Sequence, residues 1–116
     1  MEWFAFNRQY PQRHYVIGAF SPSDIRRGQQ RFSLLARLVI KLNPSGAWAL
    51  HKVIVSRQAG IHVAYECQED AAALQTAVGA QSIPKPTNRR AWLSQSEFWF
   101  DQAASERIAA QLGEPP

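Results

Sequence analysis

Three residues in the middle of the chain have the types needed for metal or proton chemistry: His51, His62 and Glu66. Two imidazoles and a carboxylate can ligate a divalent ion or relay a proton. They converge only if the β-rich runs Trp48–Ser56 and Ile61–Glu66 pair as a hairpin around Arg57-Gln58-Ala59-Gly60. With Val55 opposite His62, period-two alternation puts His51, Val53, His62, Ala64 and Glu66 on one face. Trp48, Leu50, Ile54, Ile61, Val63 and Tyr65 then form the apolar, core-facing side. A small metal-dependent nuclease is one reading of the first face. The plainer reading is the exposed polar side of a half-buried sheet. The chain has no His-x-His, no His-Glu-x-x-His, no paired carboxylates and no phosphate loop, so no metal or cofactor is expected. Cys67 has no evident base in sequence and reads as a packing residue rather than a nucleophile.

Recognition chemistry is better represented than catalysis. Between Trp3 and Tyr65 stand nine basic residues and one acid, Asp24, an excess of +8. From Glu66 onward seven acids face four bases. A front-loaded positive field speaks to partners, since a fold does not require it. Three segments carry it. Arg26, Arg27, Arg31, Arg37 and Lys41 lie on one helical stretch with no acid interleaved, a pattern suited to phosphate contacts. Arg26, Arg37 and Lys41 map to the polar side of the wheel, with Arg27 and Arg31 on its border. The loop Asn7–His14 offers Arg8, Tyr10 and Arg13, able to fork onto phosphate and stack on a base. Lys85, Arg89 and Arg90 precede Trp92 in a Pro-containing loop. The same features also read as a solvated helix face, a polar loop, and a connector whose Trp92 plugs the core. Consecutive aromatic residues (Trp3, Phe4 and Phe6; Phe98, Trp99 and Phe100) must alternate between faces if they are in strands, so some lie off the main core as stacking or contact surface.

The elements that hold these residues are readable in outline. Trp3–Phe6 and His14–Phe20 read as strands, with Gly18 marking a bulge. Ser21 is a good N-cap and Pro22 a good first helical residue, so a helix is expected from Pro22 to Leu42, with a break near Gly28 or Ser33, or a strand over Ala36–Lys41, as the alternatives. Asn43–Gly46 is a turn by composition. Gln68–Val78 reads as a helix with Glu69 and Asp70 at its positive end and Gly79 as its stop. Ser82–Arg90 reads as an exposed loop and Ala91–Phe100 as β-leaning. Asp101 caps a last helix that runs to Leu112. Phe32, Leu35, Leu38, Ile54, Val63, Leu74, Val78, Ile108 and Leu112 are the expected core.

At 116 residues and 46% apolar, the chain fits one folded domain over 1–113 with a flexible end at 114–116. The expected class is α+β: four or five mostly antiparallel strands with two or three helices on one face. The repeated strand–cap–helix order is ferredoxin-like in layout, which carries no functional content. The apolar run Leu34–Leu42 is interrupted by Arg37 and Lys41 and falls short of the roughly 20 residues that span a bilayer. With one cysteine and no secretory pattern, a cytoplasmic protein without membrane contact is expected. The leading functional expectation is a non-enzymatic binding module for nucleic acid or a nucleic-acid–protein complex. The alternative is a small inhibitor or adaptor of the phage or mobile-element type that docks on an acidic protein surface. The acidic half of one copy could also pair with the basic half of another as a homodimer.

Overall fold

Five strands form one mixed sheet, in the order β2-β3-β1-β5-β4. The computed structural model describes residues 1–21, 27–55, 58–84 and 92–114, with only the backbone of Ile54, Val55, Gln58 and Trp92. The elements are α1 (Trp3–Gln9), β1 (Arg13–Phe20), α2 (Gly28–Lys41), β2 (Trp48–Val55), β3 (Gln58–Tyr65), α3 (Gln68–Val78), β4 (Gln81–Ser82), β5 (Trp92–Trp99) and α4 (Gln102–Gln111). β1 is central. It pairs antiparallel with β3 and parallel with β5. β2 and β3 form the expected hairpin, and β4 adds a short antiparallel edge to β5. The α+β class stands, with a mixed sheet in place of a mostly antiparallel one.

The first segment departs from expectation. Trp3–Phe6 is helical, because Glu2 accepts from the backbone N–H groups of Phe4 (3.0 Å) and Ala5 (2.9 Å) and closes the first turn. Those bonds also hold the Glu2 carboxyl below the usual carboxylate range. Trp3, Phe6 and Tyr10 are spaced at i, i+3 and i+7, and all three pack on the sheet. α1 therefore covers one sheet face while α2, α3 and α4 cover the other, so the helices are not confined to one side.

The remaining boundaries follow local chemistry. α2 is seen from Gly28. Its expected start at Pro22 lies outside the described residues. It ends where Asn43 takes a left-handed φ of 52°, a conformation Asn tolerates. α3 matches its expected span and stops at Gly79, φ 69°. α4 starts at Asp101, whose carboxylate accepts from Ala104 N at 2.9 Å. The expected hairpin turn shortens, because Gln58, Ala59 and Gly60 belong to β3. Ser82 belongs to β4 rather than a loop.

Gly18 is not a bulge. The ladder is regular there, and the irregularity falls between Arg13 and His14. A Cβ at Gly18 would meet the rings of Phe98 and Phe100 at 2.9 Å, so the absent side chain makes room for them. Of the expected core, Leu35, Leu38, Val63, Leu74, Val78 and Ile108 are buried. Phe32 and Leu112 pack partly buried against that cluster. The side chain of Ile54 lies outside the description. Among the described residues no helix is long and apolar enough to cross a membrane.

Candidate functional site

The basic row of α2 meets α4. Arg27 donates to Gln102 Oε1 at 3.3 Å. Arg37 pairs with Glu114 and also donates to its own helix at Ser33 O (3.3 Å). The Lys41 ammonium donates to Gln111 O, a carbonyl in the last turn of α4, where a cation complements the helix dipole. Contacts of Arg27 with Gln102 and of Lys41 with Gln111 put like ends of the two helices together, so α2 and α4 run in the same sense. Arg26 lies outside the described residues.

Arg31 is buried, at 2% exposure, rather than on the border of a solvent face. Its guanidinium carbon sits 5.7 Å from the Phe20 ring centroid and 5.8 Å from that of Phe100. A flat, weakly hydrated guanidinium stacks on aromatic faces at lower desolvation cost than an ammonium would incur. Beside it, a cavity of about 110 Å3 lies between α2 and α4. Arg27, Gln30, Arg31 and Leu34 line it from α2; Gln102, Ser105, Glu106 and Ala109 line it from α4. The sequence reading missed the α4 contribution. Its signal was the spacing of 102, 105 and 106 on one helical face, but nothing local says which helix that face meets.

The second expected segment turns partly inward. Arg13 donates to the Tyr15 hydroxyl, to Tyr10 O (3.1 Å) and to Pro11 O (3.2 Å). Its guanidinium also lies 5.5 Å from the Tyr15 ring centroid. Tyr10 is half-buried against Phe6, with ring centroids 5.0 Å apart. Arg8, in the last turn of α1, is exposed. Lys85, Arg89 and Arg90 lie outside the described residues, as does the side chain of Trp92.

His51 and His62 share a face as expected, and they are direct cross-strand neighbours, since His51 rather than Val55 stands opposite His62. Their face is covered rather than open. Trp3 of α1 stacks on His51 (5.0 Å, 15°) and meets His62 edge-on (6.5 Å, 90°). Phe4 and Tyr15 add edge contacts to His51 and His62. Burial first, and the neighbouring His51 second, pull the His62 imidazole down to about 4, so it is neutral near pH 7. Glu66 does not join them: its carboxylate accepts from Ala47 N at 3.1 Å. Among the described residues, no group of three or more His, Cys, Asp or Glu side chains could hold a metal ion. Burial, then the carboxylates of Asp70, Glu66 and Glu69, push the Cys67 thiol up, away from the reactive thiolate.

Two large apolar side chains on one face of β5 stay open, with Gln95 and Glu97 between them. In β5, Phe98 is buried against the helical layer while Trp99, on the opposite face, is 57% exposed. Leu93, on the same side by alternation, is 49% exposed. α1 packs over β2 and over Tyr15 and Ile17 of β1, the strand beside β5. Comparison with protein-family models, curated proteins and solved structures finds no match for this chain.

Proposed function

We propose that this chain is a non-enzymatic binding module that docks on another protein through the outer face of β5, with Trp99 as its anchor. The exposure of Trp99 carries the reading. Tryptophan is a large amphipathic anchor, enriched among the residues that dominate binding energy. Here it stands in a rigid strand, so little conformational freedom is lost on docking. The excess positive charge favours an acidic rim on the partner. Against the nucleic-acid reading, Arg13, Arg31, Arg37 and Lys41 already have partners or burial within the chain. Arg8 and Arg27, both exposed, favour it.

Two measurements test the proposal. Affinity capture with the wild-type chain should yield a stoichiometric protein partner that survives moderate salt and is lost with Trp99→Glu. Titration of labelled single- and double-stranded oligonucleotides at about 50 and 200 mM salt should show no tight binding. Binding that falls ~10³-fold between those salts would signal several phosphate contacts and overturn the proposal in favour of nucleic acid.

A further inference from the structure

We propose that the outer edge of β2 is a docking site for an extended segment of another protein, one with alternating apolar and acidic side chains that adds a strand to the sheet. The inference does not rest on the β5 face. Backbone geometry comes first. β2 is an edge strand of eight residues, whereas the opposite edge, β4, has two. Glu66 N donates to Ala47 O at 3.0 Å, so these two residues form a hydrogen-bonded pair at the end of the β2–β3 ladder. Counting on through the register, Ala49, His51 and Val53 turn their N–H and C=O groups toward β3. Trp48, Leu50 and Lys52 therefore turn theirs outward. In keeping with that direction, the Met1 ammonium donates to Trp48 O at 3.0 Å and closes that end of the edge. Among the described residues, no group bonds to the outward backbone of Leu50 or Lys52. An extended chain offers donors and acceptors at the matching spacing.

The flanks of the edge set the side chains of the incoming strand. On the α1 side, Phe4 is 61% exposed and meets the ring of His51, with centroids 6.0 Å apart. An apolar side chain placed beside His51 would cover that ring. On the helical side, alternation groups Lys52 with Trp48 and Leu50. A Cβ at Gly28 would meet the Lys52 Cδ at 3.5 Å, so Lys52 lies next to the start of α2 and the exposed Arg27. A carboxylate on the incoming strand answers these two cations. Charge also decides against a second copy as the occupant. β2 carries no acid. Pairing β2 with itself about a two-fold at His51 or Lys52 brings both Lys52 side chains onto one face as near neighbours, with no carboxylate between them. A lysine on an edge strand thus rejects its own kind and admits an acidic strand.

The test is amide hydrogen exchange of the ¹⁵N-labelled chain with two synthetic peptides as long as β2, one alternating valine and glutamate, the other valine and lysine. The valine–glutamate peptide should slow exchange at Leu50 and Lys52 in a saturable way. It should leave His51 and Val53, already bonded to β3, unchanged. The valine–lysine peptide should bind about tenfold more weakly. Lys52→Glu should reverse that preference. Lys52→Pro removes one outward N–H while sparing the β3 ladder, and should weaken binding about tenfold. Protection of the β3 amides verifies that each variant is folded. Exchange at Leu50 and Lys52 that neither peptide slows, equal binding of the two peptides, or Lys52→Glu with the wild-type preference would each overturn the proposal. So would a dimer of the free chain, seen by sedimentation, in which Leu50 and Lys52 are already protected, since a second copy would then hold the edge.

Discussion

The two faces of the sheet are built from different materials. Under α2, α3 and α4 lie aliphatic side chains and phenylalanine rings, with Arg31 as the buried cation. Under α1, Trp3 of that helix meets the rings of Tyr15, His51 and His62, beside the small residues Ala49 and Ala64. The first face is held by volume and tied by cations that reach from one helix to the next. The second is held by one short helix whose aromatic residues cover two titratable imidazoles. Burial lowers a histidine on each face, His14 opposite Tyr65 on the first and His62 on the second, and the shift at His62 is large enough to make the second the more acid-sensitive.

The largest expected effect lies on the helical face. Leu35→Ala, at a fully buried position, should cost about 2–5 kcal/mol by the usual sum of lost transfer energy and residual cavity. The urea midpoint reads it, and a cost under 1 kcal/mol would show that this layer is not the better packed. Next is acid. The folded-state value of His62 is depressed to about 4, whereas the unfolded chain titrates near 6.5. The unfolded state therefore binds the extra proton first, and stability falls as pH drops from about 6.5 to about 4, by about 3 kcal/mol. His14, whose Nδ1 meets the Ser94 hydroxyl at 2.7 Å, is also lowered by burial and should leave part of the slope. His62→Gln should flatten the slope, and Trp3→Ala should raise the His62 value toward 6.5 by opening the face to water. An unchanged urea-versus-pH profile in His62→Gln would erase the contrast between the faces. The smallest effect is at the closed end of the α2–α4 pair. Glu114→Gln should cost no more than about 1 kcal/mol, since half-exposed ion pairs are weak. A larger loss by the same urea assay would mean that the cation ties matter more than volume.

What the sequence revealed and what it hid divide along local versus non-local physics. α3 and α4 were legible because acidic caps, alanines and terminal glycines are read within one segment. The hairpin faces were legible because alternation survives even when the assumed register is off: His62 pairs with His51 rather than Val55, yet the same residues share a face. α1 was hidden because Trp and Phe favour strands, and a Glu cap two residues from Phe4 outweighed that preference. The parallel partnership of β1 with β5 depends on residues far apart in sequence, and no local pattern encodes it. The candidate site was less legible. Trp99 was visible as an alternating aromatic residue. The type of Arg31 argues for the surface, and Phe20 and Phe100, brought in from β1 and the residue after β5, flank it where it is buried.

The central position of β1 also sets the order of events during synthesis. β1 emerges early but must wait for β5, whose Trp92 pairs with Arg13, before both of its sides are satisfied. Such distant contacts close late and slow the folding of domains that depend on them. Until β5 leaves the ribosome, the backbone N–H and C=O groups along one edge of β1 have no strand partner, the kind of edge that pairs with other chains.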